Sequence, residues 1–157
     1  MRILTPTLAA ASILLAASSA MAAEVTETAT FDAGPKKVWK AAGPGFCGIG
    51  KFHPAIEKCD LSNGKKTRTL TLKGGGTIVE NQLSWDPKTT SYSYEITESP
   101  LPVENYKATF KVEKTGKKQS TVTWTATFDP KGASEDEAKK TISGIFTAGL
   151  DALKSKL

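Results

Sequence analysis

Few side chains in this sequence of 157 residues could carry acid-base, metal or redox chemistry, and three of them fall close together. His53 is the single histidine, set before Pro54 and between Cys47 and Cys59. As a general base it needs an orienting acid and a substrate proton within hydrogen-bond reach. As a metal ligand it lacks a second clustered donor. The third reading is a structural residue, or one lining the entrance of a pocket. No cofactor and no metal is implied: one histidine and two cysteines supply too few ligands for a zinc ribbon or a haem attachment.

Glu80 lies in Ile78-Val79-Glu80-Asn81-Gln82, where a period of two could turn it either way. Inside a cavity, burial would raise its pKa and make it an acid or base candidate. Otherwise it is a solvent-facing strand carboxylate or a partner of Arg68. Glu95 and Glu104 carry the same ambiguity. Cys47 and Cys59 bracket GIGKFHPAIEK, and a disulfide closing a loop of that size contributes roughly 3 kcal/mol from chain entropy. Two free buried thiols or a redox pair are the alternatives, and the C-x-x-C spacing of redox pairs is missing.

The first two dozen residues set the compartment. Met1-Arg2, the apolar run Leu8 to Ala17 and the small residues Ser19-Ala20-Met21-Ala22-Ala23 read as a secretory signal peptide. Cleavage is expected after Ala22, with Ala23 as the alternative. The run is shorter than the ~18 to 20 residues a bilayer span needs, so no membrane-spanning anchor is expected. The domain division is therefore residues 1–22 as leader and 23–157 as a single globular domain. Loss of Arg2 lowers the formal charge of the chain from +5 by one. The expectation is a soluble, exported, periplasmic protein in an oxidising space where the two cysteines can pair.

Composition narrows the class. With 39% hydrophobic and 24% charged residues, collagen, coiled coil and wholesale disorder fall away. The lysines come in short clusters separated by acids, without the interleaved arginines and aromatics of nucleic-acid binding, so no nucleic acid partner is expected. A salt-sensitive contact with an acidic protein or anionic lipid suits the net positive charge better. The glycines from Gly43 to Gly50 lack the Lys-Ser/Thr ending of a phosphate loop.

The elements that must position these groups follow from periodicity. Glu24 to Phe31 alternates as a strand, and Pro35 to about Ala42 suits a short helix with Pro at its first turn, stopped by Gly43-Pro44-Gly45. Strands are predicted over Ala55–Leu61, Thr67–Leu72, Thr77–Trp85, Ser91–Glu98 and Tyr106–Val112. The clearest places Val122, Trp124, Ala126 and Phe128 on one face and four threonines on the other. Turns at Gly74–Gly76, at Asp86-Pro87 and around Gly116 make an antiparallel meander. Ser134 and Glu137 can form a capping box, opening a helix of about 22 residues whose apolar stripe runs from Ile142 to Leu157. An antiparallel sheet with one apolar face must bury it, and this helix is the one element long enough to cover it.

That order, with VWKAAGPGFCGIGKFHPAIEKCDL near the start, RTLTLKGGGTIVENQLSWD in the middle and YSYEITESPLPVENYKATFKV before the last strand, resembles the SRPBCC superfamily. This group includes START-like and polyketide cyclase/dehydrase proteins. Phe52-His53-Pro54, Arg68-Thr69-Leu70 and Ser99-Pro100-Leu101-Pro102-Val103 are similar to its small exported, MxaD-like branch. The resemblance implies an α+β helix-grip fold, a curved antiparallel sheet of about seven strands around a long C-terminal helix, with one or two short helices after strand 1. It also implies a cavity between sheet and helix. Pocket-lining candidates are Tyr94, Tyr106, Phe110, Trp124, Phe146 and Leu150, with His53 and Glu80 at the entrance and no catalytic residue carried over. The leading expectation is a non-catalytic binding protein for a small apolar or lipid-like ligand. The alternative is an accessory protein of a periplasmic oxidation system, meeting a protein partner through Lys36, Lys37 and Lys40. Less favoured is a cyclase- or isomerase-type enzyme using His53 or Glu80.

Overall fold

A computed structural model describes residues 22–43 and 45–157. The leader expected to end at Ala22 lies, apart from Ala22 itself, outside the described residues, as does Pro44. Seven strands form one antiparallel sheet: β1 (Ala23–Phe31), β2 (Ile56–Ser62), β3 (Thr67–Leu72), β4 (Thr77–Asp86), β5 (Ser91–Glu98), β6 (Val103–Gly116) and β7 (Gln119–Pro130). Their order across the sheet is β1-β7-β6-β5-β4-β3-β2, so the first strand closes on the last. Two short helices, α1 (Pro35–Ala42) and α2 (Ile49–Phe52), follow β1, and α3 (Glu135–Lys154) ends the fold. This is the helix-grip arrangement, with α3 lying against β1 and β7. Among the described residues no helix is long and apolar enough to cross a membrane.

Alternation decides which face is buried. On β7, Val122, Trp124, Ala126 and Phe128 turn inward and are buried, while the threonines between them face out. Opposite residues of an antiparallel pair share a face, so Trp124, Phe110, Tyr92 and Trp85 form one aromatic row across four strands. Neighbouring rings in that row stand 5.2 to 5.4 Å apart. The helix completes the core with Ala138, Ile142, Phe146, Leu150 and Leu153. Its start is fixed as expected: the Ser134 side chain accepts from the Glu137 backbone N–H, and the Glu137 carboxylate accepts from the Ser134 N–H.

Several elements differ in length from the sequence expectation, β6 the most. β6 runs from Val103 to Gly116 rather than Tyr106 to Val112, because pairing of Glu113 and Lys114 with β7 continues past the last core residue. α3 ends at Lys154, one residue after Leu153, its last buried side chain.

Candidate functional site

The site begins with a register. β3 pairs with β4 so that Arg68 stands opposite Glu80, and both point into the sheet's concave side beside Leu70 and Ile78. Arg68 Nε donates to Glu80 Oε2 in a fully buried ion pair. Its Nη1 donates to the Phe46 carbonyl at 2.6 Å. The guanidinium lies over the Phe46 ring at 4.1 Å and the Tyr94 ring at 4.7 Å, so cation–π contact adds to the pairing. Burial raises the Glu80 carboxyl above the ordinary carboxylate range, against the opposing pull of Arg68. Burial also works against the Arg68 charge, but Glu80, Tyr92 and Tyr94 together hold it above its ordinary value.

The second anchor is His53, at the end of α2. The Ala55 backbone N–H donates to Nδ1 at 3.2 Å, so that nitrogen carries the lone pair. Nε2 then carries the proton and donates to the Ile145 carbonyl of α3 at 3.0 Å. The ring is a neutral clasp between the α2–β2 segment and the helix. Burial lowers its pKa, with the Ile145 bond working the other way. Neither nitrogen is left to take a substrate proton or a metal in this arrangement.

Between these anchors lies a cavity of about 110 Å³. Of the residues expected there, Tyr94, Tyr106, Trp124 and Phe146 border it. Trp124 stacks on Phe146 with ring centroids 4.4 Å apart, and its Nε1 donates to the Tyr94 hydroxyl at 3.0 Å. Burial pushes the Tyr94 and Tyr106 hydroxyls far above their ordinary pKa, so both stay protonated donors. Phe110 and Leu150 do not border the cavity. Phe110 is enclosed by Phe52 of α2, Tyr92 and Trp124, and Leu150 is buried one helical turn beyond Phe146. His53 and Glu80 do border it, as buried wall residues 5% and 4% exposed rather than at a solvent-open rim. Glu95 is half-buried, opposite Lys107 of β6, and Glu104 is exposed and within 3.6 Å of Lys131.

Sequence reasoning missed the aliphatic part of the wall: Ile56, Leu70, Leu72 and Ile78 from β2 to β4, and Ile142 and Ile145 from α3. The signal was present in phase, since Arg68, Leu70 and Leu72 alternate together. The remaining wall, Ile49 to Ile56, is tied to β2 by the Cys47–Cys59 disulfide, with Cα atoms 5.7 Å apart.

Comparison with known proteins agrees with this architecture. Among curated proteins none matches the chain. The structure of XoxI from Bacillus cereus superposes with a TM-score of 0.82 at 33% identity, covering 85% of this chain and 94% of that one. An uncharacterized protein from Bacillus thuringiensis gives 0.81 at 32% identity, over 85% and 98%. The ZhuI aromatase/cyclase from Streptomyces sp. R1128 shares the fold at 19% identity, with a TM-score of 0.69 over 86% and 93%. The profile of one protein family spans residues 22–157, the full extent of the described residues. The chain thus belongs to the family described as polyketide cyclase / dehydrase and lipid transport.

Proposed function

We propose that this protein is exported and binds one small, largely apolar molecule carrying a single polar group in the cavity between sheet and α3. The observation that carries the reading is the chemistry of the wall. Leu70, Ile78, Ile142 and Phe146 supply apolar surface, and Glu80, Tyr94 and Tyr106 supply a few polar groups on one side. Such a wall, apolar with few fixed polar groups, is the usual form of a ligand site.

Size sharpens the proposal. An apolar cavity of about 150 Å³ holds benzene, whereas drug-sized ligands occupy roughly 300 to 1,000 Å³. At about 110 Å³, the cavity suits one ring or a short branched chain, and a long lipid or a fused-ring polyketide needs side chains to move aside. Non-catalytic binding is favoured over catalysis because both nitrogens of His53 are engaged and Glu80 is held by Arg68. The Cys47–Cys59 disulfide supports export, since such bonds persist in oxidising compartments.

Native mass spectrometry of the protein recovered from its own cells tests both halves. A small adduct that is lost on denaturation, and lost again in Ile78→Trp and Leu70→Phe variants that fill the cavity and still fold, is the expected result. The denatured mass reports cleavage after Ala22. An adduct unaffected by both fillings would overturn the cavity as its site, and a full-length mass would overturn export.

A further inference from the structure

Charge is separated along the strands. Successive connections of an antiparallel sheet fall at alternate ends. One end holds α1, the β2–β3 turn, the β4–β5 turn and the β6–β7 hairpin. There α1 presents Lys36, Lys37 and Lys40, and the β2–β3 turn presents Lys65 and Lys66. The β4–β5 turn adds Lys88, and the β6–β7 hairpin adds Lys114, Lys117 and Lys118. All of these are exposed.

The helix delivers more. α3 starts at the other end and passes β1 at Ser143, whose hydroxyl donates to Glu27 Oε1 at 2.5 Å. From there to Lys154 it rises about 16 Å, which brings the exposed Lys154 and Lys156 to the lysine end. Among the described residues none of these lysines forms an ion pair. The carboxylates nearby are Asp32, Asp60, Asp86, Asp151 and Glu113, of which Asp60 is already paired with Lys58 and Glu113 with Lys111. The opposite end carries more acid than base: Glu24, Glu98 and Glu104 join Glu135, Asp136 and Glu137 of the first turn of α3, against Lys73, Lys131 and Lys139, the last two paired with Glu104 and Glu135.

Two half-buried tryptophans share the lysine end. Trp39 of α1 and Trp85 of β4 lie with ring centroids 5.0 Å apart, Trp85 stacking in turn on Tyr92. The cavity lies toward the other end, bordered by Ala55, Leu72 and Leu101.

We propose that the lysine end is a docking surface for the headgroup layer of an anionic lipid bilayer, holding the protein with its cavity turned to the solvent. Three observations favour a bilayer over an acidic protein. The charges sit on turn tips and helix ends spread around one end of the sheet, which suits a broad, flat anionic surface better than a protein epitope. Every cation there is lysine, and the one arginine among the described residues, Arg68, is buried in the core. Protein interfaces enrich arginine and deplete lysine, whereas an anionic bilayer attracts each nearby lysine without specific geometry. Tryptophan pairs are also at home at headgroup level.

The test is sedimentation of the whole protein with large vesicles of phosphatidylcholine and about 30% phosphatidylglycerol, at about 20 mM and 300 mM salt. Binding is expected at low salt, with a shift in tryptophan emission, and loss at high salt or on pure phosphatidylcholine. A Lys36→Glu, Lys37→Glu, Lys117→Glu, Lys118→Glu variant should bind at least about thirtyfold more weakly while keeping its unfolding midpoint. A Lys73→Glu, Lys131→Glu variant, with charge reversed at the other end, should bind as the parent does. No binding to the anionic vesicles at low salt would overturn the proposal. So would equal losses in the two variants, or salt-sensitive binding to an acidic protein in place of the vesicles.

Discussion

The His53 ring occupies a notch in α3 that exists because residue 149 is glycine. A Cβ built at Gly149 would stand 2.8 Å from His53 Cδ2 and 2.9 Å from Trp124 Cζ3. The helix can therefore approach both the α2–β2 segment and β7 closely enough for Nε2 to reach the Ile145 carbonyl. Gly149→Ala gains about 1 kcal/mol of helix propensity but forces two packed rings apart, an overpacking cost of about 1 to 3 kcal/mol. A net loss of about 1 kcal/mol in urea unfolding is expected. Gly144→Ala, on the same helix with nothing within 4 Å of the added carbon, should instead stabilise by about 0.5 to 1 kcal/mol. Stabilisation by both would show that the notch is not needed.

The clasp also fixes a pH dependence. His53 is neutral in the folded chain and its pKa is lowered from 6.5, so the unfolded chain binds the extra proton as the pH falls. The stability tied to neutral His53 is complete above about 6.5 and is lost as the pH drops through the folded value. With a single histidine, one imidazole titration in the NMR spectrum reads the effect directly. A midpoint below 6.5, with Nδ1 unprotonated, is expected, and His53→Asn should remove that segment of the stability curve. A midpoint above 6.5 would contradict burial as the dominant influence on the ring, and a protonated Nδ1 would contradict the assigned tautomer.

Arg68 and Glu80 stabilise each other rather than the fold. Arg68→Met strands a buried carboxylate and should cost about 3 to 5 kcal/mol, and Glu80→Leu, which strands the guanidinium, should cost a similar amount. The double variant removes both charges and should recover most of that loss, giving a coupling energy readable from a double-mutant cycle in denaturant. Additive losses would mean that the two charges are solvated separately.

Reduction probes the remaining wall. The disulfide restrains the segment that carries Ile49, Phe52 and His53, so Cys47→Ser with Cys59→Ser should cost roughly 3 kcal/mol and loosen one side of the cavity. Hydrogen exchange at Ile49 to Ile56 should rise more than exchange in β6 and β7. Uniform acceleration would point to global destabilisation alone.

Legibility of the sequence followed the range of each interaction. β7 and α3 are local statements: threonines alternate with apolar residues, and Ser134 and Glu137 cap a helix whose stripe repeats every three or four residues. Those two elements carry the fold. The site depends instead on register. Pairing with Arg68 is one of several readings the sequence leaves open for Glu80, and only the β3–β4 register selects it and turns both side chains inward. α2 is four residues in a glycine-rich stretch, too short for a periodic signal, yet it puts Phe52 over Phe110 and His53 against α3. Phe110 was therefore legible as inward-facing but not as sealed from the cavity.

Enlarging the cavity tests whether its size selects the ligand. Phe146 stacks on Trp124 and closes one side, so Phe146→Ala should merge its own volume with the existing space at a cost of about 3 to 5 kcal/mol. The enlarged space is apolar on that side, the kind of void that stays dry and takes up aromatic guests. Benzene or indole should then raise the unfolding temperature of the variant by more than that of the parent, by mass action on the folded state. If the parent binds indole as tightly as the variant does, its cavity opens readily, and about 110 Å³ would not be the limit on what it takes.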